Sequence, residues 1–215
     1  MPFDHNDHYH RLLLRRLPHD CRTALDVGCG TGRFARLLAE RGIEVDAIDV
    51  SAEAIEAARS LSRSLGDGRP APRFRRADVT RITLPREHYD VVSCLASLHH
   101  MPFDTVAALR DALAPGGVLL VLGCHPEVSA TDRARSLVAV PVNAVARLAV
   151  AIRERVRPAR GGTTPVRAPV KRPEKPLEEI RREAAVLLPG STLRRLLFWR
   201  YLLVYRKPGS SRRGR

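Results

Sequence analysis

Lysine is nearly missing from this chain. Of 37 basic residues in 215, only Lys171, Lys175 and Lys207 are lysines. Aromatic residues are scarce as well, at 5% with a single tryptophan, which argues against an aromatic-rich basic platform for stacking the bases of single-stranded RNA. The four cysteines, Cys21, Cys29, Cys94 and Cys124, lie far apart and form no C-x-x-C pair. A disulfide framework and a zinc knuckle are thereby excluded, and Cys94 and Cys124, set in apolar runs, read as small buried hydrophobes. Asp4, His5, Asp7, His8 and His10 crowd the start without a tight ligand spacing, so a solvated segment is expected there and no metal. The longest apolar runs, such as Val118 to Leu122, fall far short of the roughly 20 residues that span a bilayer. The opening is polar and Arg15-Arg16 leads into no apolar stretch, so no secretion signal is read and a cytoplasmic location is expected.

The 44% hydrophobic content in a chain of this length is enough for one domain with a full core. A formal net charge of +14 raises nucleic acid or an anionic membrane as partners. The charge is spread along the chain and densest in its last third, and much of it reads as an arginine-biased composition. RNA binding is therefore expected to be weak, without sequence preference and steeply salt-dependent.

Hydrophobic periodicity divides the chain into alternating elements. Leu12, Leu13 and Leu17 mark an amphipathic helix over Tyr9 to Leu17, followed by a short strand from Thr23 to Val27. A glycine-rich turn leads into a helix that carries Phe34, Leu37 and Leu38 and stops at Gly42. Ile43 to Val50 is a second strand. Ser51 caps the helix after it, which has acidic residues early and arginines late, as the helix dipole prefers. Arg73 to Arg76, Tyr89 to Leu95 and Val118 to Cys124 are three further strands, with a helix over Asp104 to Leu113 and a turn at Pro115-Gly116-Gly117. Such alternation predicts an α/β fold with a parallel sheet and helices on both faces. Leu193 to Phe198 and Tyr201 to Tyr205 read as a closing pair of strands after a helix over Leu177 to Leu188.

The predicted organisation is a lid helix over 1–20, one domain over 21–208 and a basic tail over 209–215. Within the domain, a helical insertion is expected at about 129–157 and an exposed loop at about 158–176. The insertion's apolar stripe from Val138 to Val156, flanked by arginines, suits a substrate cap, a dimer face or a membrane-surface helix.

Leu25-Asp26-Val27-Gly28-Cys29-Gly30-Thr31-Gly32 is the most informative stretch. Glycines at a strand-to-helix turn let the backbone approach a ligand closely, and the N–H groups that open the next helix face an anion. A dinucleotide site would space its glycines as G-x-G-x-x-G, whereas here they fall as G-x-G-x-G behind an acidic residue. Asp49 ends the second strand, where a carboxylate can accept bonds from both hydroxyls of a ribose. Ser51 already supplies the helix cap, which weakens a capping role for Asp49. Asp78 follows the third strand and can accept from an adenine amino group at the same edge.

Together these stretches resemble the class I S-adenosylmethionine-dependent methyltransferases of the small-molecule type. Leu25 to Gly32 is similar to the family's first motif, Ala47 to Ser51 to its ribose motif and Ala77-Asp78-Val79 to its adenine-side motif. Tyr89 to Val92, running on through Leu98-His99-His100, is similar to the fourth-strand motif, and Leu113 to Gly117 to the turn into strand five. The resemblance spans roughly residues 20 to 125. It implies a Rossmann-like seven-stranded, mostly parallel sheet whose last strand is antiparallel. It also implies an S-adenosylmethionine site drawn from Asp26, Gly28, Cys29, Gly30, Asp49, Val50, Asp78, Val79 and Leu95, with Tyr9 and His10 closing it from the N-terminal segment.

Ala96-Ser97-Leu98-His99 stands where enzymes that methylate adenine or glutamine amino groups carry Asn-Pro-Pro-Tyr. Gly123-Cys124-His125-Pro126 likewise lacks the Pro-Cys context of RNA cytosine enzymes. A small-molecule acceptor is therefore expected, with an RNA-modifying enzyme or a catalytically silent binding protein as the alternatives. His99 and His100 are the candidate bases, because imidazole titrates near neutral pH and strand ends face the ligand crevice.

Overall fold

The computed structural model describes residues 7–63, 70–126, 175–196 and 199–209. The expected insertion at 129–157, most of the loop after it and nearly all of the tail lie outside these residues. Helix α1 spans Asp7–Leu14, followed by β1 (Thr23–Val27), α2 (Arg33–Ala39), β2 (Glu44–Asp49), α3 (Ala52–Ser62), β3 (Arg73–Arg76) and β4 (Tyr89–Leu95). A single 3₁₀ turn at Leu98–His100 leads to α4 (Thr105–Ala112) and β5 (Leu113–Cys124), and the chain closes with α5 (Leu177–Leu187), β6 (Thr192–Arg195) and β7 (Arg200–Arg206). Among the described residues no helix is long and apolar enough to cross a membrane.

The seven strands form one sheet in the order β3-β2-β1-β4-β5-β7-β6. The contacts from β3 through β5 are parallel, and β7 runs antiparallel to both β5 and β6. Chain direction across the sheet reverses between β1 and β4, and in open parallel sheets the crevice at such a switch point takes the ligand.

Strand alternation sorts the core onto two faces. Leu25, Val27, Val92, Leu119 and Val121 pack with Val106 and Leu109 of α4 and Ile180 and Ala184 of α5. Ala24, Val45, Val91, Val118 and Leu120 pack with Leu13 of α1, Phe34 and Leu38 of α2 and Ile55 of α3. Helix α3 starts as expected, with the Ser51 hydroxyl accepting from the Ala54 N–H at 3.1 Å. The β3 edge exposes Arg73, Arg75 and Arg76 around a buried Phe74, and such charge discourages pairing with another sheet.

Most boundaries fall within a residue or two of expectation, and three elements differ more. Helix α1 ends at Leu14 rather than Leu17, closing with an Arg16 N–H to Leu13 carbonyl bond, because Pro18 disfavours helical geometry in the residue before it. The Pro115-Gly116-Gly117 turn lies inside β5 as an irregularity in its pairing with β4 between Tyr89 and Val91. Gly116 takes a left-handed φ of 82° there. Strand β6 stops at Arg195 and Leu196 is already outside it, while the expected end at Phe198 lies outside the described residues.

Gly123 of β5 lies under the Tyr201 ring, and a Cβ at this glycine would stand 2.1 Å from a ring carbon. Tyr201 is itself buried, so it has little room to retreat. Gly123→Ala should cost about 1–3 kcal/mol in urea unfolding, the usual range for overpacking a core. Adding Tyr201→Ala should make the pair non-additive; strictly additive losses would show that the two do not press on each other.

Candidate functional site

Strands β1, β2, β4 and β5 all end at one edge of the sheet, and the residues just past their ends form a crevice. Its floor is the turn after β1. Gly28, Gly30 and Gly32 adopt φ values of 67°, 53° and 73°, a region that costs other residues roughly 1–2 kcal/mol each. Side chains are also excluded sterically at two of them. A Cβ on Gly28 would lie 2.3 Å from the Cβ of Ser97, and one on Gly32 would lie 2.4 Å from the Phe74 ring. At Gly30 nothing stands within 4 Å of the Cβ position, so its backbone faces open space.

Asp49 holds this turn in place. One oxygen of its carboxylate accepts the Gly30 N–H at 2.8 Å and the other the Ser51 N–H at 2.9 Å. The Gly28 and Cys29 N–H groups both reach the Ile48 carbonyl, at 2.8 and 3.0 Å. Val50, next in the chain, is 60% exposed, a rare state for a large apolar side chain among the described residues.

Below the turn, the Asp26 carboxyl is buried and accepts the Ser93 hydroxyl at 2.7 Å. Burial, reinforced by the charge of Asp49 and opposed by the Ser93 bond, pushes the acid up to about 6. The Cys29 thiol is driven above its ordinary range by burial and then by Asp26 and Asp49, so it stays protonated and unreactive. Across the crevice, Ala96, just past β4, takes a left-handed conformation with φ of 54°. This bend brings the Ser97 hydroxyl to the Val27 carbonyl at 2.9 Å and beside the Cys94 sulfur at 3.1 Å, locking β4 to β1.

The remaining expected residues separate into groups. Asp78 stands past β3, and its carboxylate is engaged by the Thr80 hydroxyl and N–H at 2.7 and 3.0 Å, bonds that hold it below the usual carboxylate range. The Val79 side chain is buried in the core. Tyr9 is buried against Leu122, with Leu95 and Leu196 beside it, and so packs over the ends of β4 and β5. His10 is buried with its ring 5.2 Å from that of Phe34. His99 and His100 lie together with ring centroids 4.1 Å apart, His100 exposed and His99 half-buried.

His99 lines a cavity of about 380 Å³ next to the crevice, with Leu98, Phe103, Ile180, Glu183 and Tyr201 among its other walls. Cys124 also borders it and departs from the expected buried hydrophobe: it is half-buried, and its sulfur meets the Arg200 guanidinium. One residue missed in the sequence is His125, just past β5. It is 3% exposed, its Nδ1 lies 3.0 Å from the Pro126 carbonyl, and its buried Nε2 has no hydrogen-bond partner among the described residues. Its only signal was its place at a strand end. Ser93 and Ser97 were also missed, because each is a lone hydroxyl in an apolar run.

Comparison with known proteins places these features in a family. Residues 24–117 match a family model described as a methyltransferase domain. The chain is 33% identical over 211 residues to an uncharacterized methyltransferase of Mycobacterium tuberculosis, covering 96% of this chain and 98% of that one. A ubiquinone biosynthesis O-methyltransferase of Nitrosospira multiformis is 33% identical over 99 residues, 45% of this chain and 40% of that protein. Among solved structures, an S-adenosylmethionine-dependent methyltransferase from Methanosarcina mazei has the same fold, with a TM-score of 0.59 at 18% identity over 92% of this chain and 97% of that one.

The raised pKa of Asp26 has a definite sign in stability. Its folded value lies above the unfolded one, so its contribution is fully present below the ordinary carboxylate range near 3.9 and is lost as pH rises through about 6. Asp26→Asn should remove this falling limb from a plot of unfolding free energy against pH. An unchanged slope between pH 4 and 6 in the variant would show that Asp26 is not its source.

Proposed function

The chain belongs to the class I S-adenosylmethionine-dependent methyltransferases, and on that premise we propose that it methylates a small molecule seated in the cavity beside the ends of β4 and β5. The residues present fit the cofactor. Gly30 leaves open space over its backbone, Asp49 keeps lone pairs available after its two backbone bonds, and Val50 offers an exposed apolar surface next to it. Asp49 is assigned to the ribose hydroxyls, with Gly28, Cys29 and Gly30 lining the cofactor through their backbone. Val50, Asp78 and Val79 are assigned to the adenine side. Asp26 supports the turn from beneath, and Leu95, Tyr9 and His10 close the site.

When bound, the cofactor supplies a methyl group already activated on a sulfonium, so the protein's work is alignment and exclusion of water. Tyr9 serves the second task, since it is buried over the strand ends where a lid would sit. His99 lines the cavity and is placed to take a proton from an acceptor that must ionise, and the exposed His100 supports it at the rim. The small acceptor agrees with the activity named for the ubiquinone biosynthesis relative, and the cavity's size agrees with a molecule rather than a polymer.

The observation that carries this reading is the Asp49 carboxylate fixed on the glycine turn while Gly30 faces open space. Isothermal titration should detect S-adenosylmethionine binding by the folded protein. Asp49→Ala should weaken it by about 1.5–3 kcal/mol, the range for hydrogen bonds to a charged group. Absence of binding by the wild-type protein would overturn the cofactor assignment.

A further inference from the structure

The cavity beside the crevice has an apolar body and a charged rim. Leu98, Phe103 and Ile180 form walls, and Asp104, Lys175 and Glu183 bring charge to the same space. Lys175 sets its Nζ 5.7 Å from the centre of the Phe103 ring, in contact with the Glu183 carboxylate and 3.5 Å from that of Glu179. The protein therefore already holds a primary ammonium against an aromatic face and a carboxylate, an arrangement that also binds the ammonium group of a ligand. The local balance of charge points the same way. Among the described residues the carboxylates of Asp104, Glu179 and Glu183 outnumber the cations there, Lys175 and the Arg200 guanidinium that meets Cys124 of the cavity wall, in a chain whose formal net charge is +14. Such an inversion of sign attracts a cation and repels an anion. A volume of about 380 Å³ lies at the small end of the range for ligand pockets, room for a one-ring compound.

Resting on the reading of this cavity as the acceptor site, we infer that the acceptor is an amphipathic amine, with its apolar body against Leu98, Phe103 and Ile180 and its ammonium group replacing Lys175 Nζ on Phe103 and Glu183. Lys175 is then a stand-in that a ligand displaces, and Glu183 is the specificity-determining group. A carboxylate ligand read by Lys175 would demand the opposite behaviour from both residues.

The test titrates phenethylamine and its carboxylate counterpart, 3-phenylpropionate, into the full chain saturated with S-adenosylhomocysteine. Phenethylamine should bind at least tenfold tighter than 3-phenylpropionate. Glu183→Gln should weaken the amine at least fivefold, and Lys175→Met, by removing the competing ammonium, should strengthen it. Preference for the carboxylate, loss of amine affinity in Lys175→Met, an unaltered affinity in Glu183→Gln, or no binding of either probe by protein that still binds S-adenosylhomocysteine would each overturn the amine assignment alone. Failure to bind S-adenosylhomocysteine, measured first in the same experiment, would instead overturn the enzyme reading on which it rests.

Discussion

The bond between the Asp49 carboxylate and the Gly30 N–H, 2.8 Å long, ties the end of β2 to the turn that leaves β1. Gly30 belongs to the turn that leaves β1, whereas Asp49 ends β2 and its other oxygen takes the Ser51 N–H at the head of α3. Within the turn of three left-handed glycines only the Gly32 N–H bonds the turn itself, at the Cys29 carbonyl 2.9 Å away, and N–H groups left without partners are costly. The end of β2 provides partners instead, through Ile48 for Gly28 and Cys29 and through Asp49 for Gly30. The opposite wall is fixed in the same way, since Ser97 reaches the Val27 carbonyl only because Gly28 has no side chain to obstruct it. The shape of the crevice thus follows from backbone satisfaction, and the space above Gly30 is what remains.

Two carboxyls converge beneath this turn, and their environments differ. Asp49 is half-buried and bonded to backbone donors, whereas Asp26 is buried with a serine hydroxyl and feels the charge of Asp49. Folding alone gains little from burying an acid whose ionisation is thereby opposed. A carboxyl kept at such a cost, at a strand end beneath the glycine turn, is the kind of perturbed group found at functional sites. The amine reading of the neighbouring cavity extends the same electrostatic character, because acidic groups gather at both places in a basic chain.

The architecture was legible wherever the signal is local. The glycine spacing, the acid ending β2 and the Ser51 cap lie within a few residues of the structures they specify, and the alternation of strands and helices identified the parallel sheet. Signals that depend on register were not legible. Ser93 meets Asp26 across 67 positions and Ser97 meets Val27 across 70, so nothing near either serine marks it. The grouping of Lys175, Glu183 and Phe103 joins segments from either side of β5, and Cys124 acquires its arginine neighbour only when β7 pairs with that strand. Asp78 was anticipated at the correct edge, but its engagement by Thr80 depends on a turn geometry that the residue types alone do not impose.

A crevice shaped by the protein's own bonds must exist before any ligand arrives, and amide hydrogen exchange tests this most directly. In the ligand-free protein the Gly28, Cys29 and Gly30 amides should already be strongly protected, by their bonds to Ile48 and Asp49, and S-adenosylhomocysteine should add little to them. Amides that exchange as freely as an open loop, and become protected only when the ligand is added, would show that the ligand rather than Asp49 builds the turn.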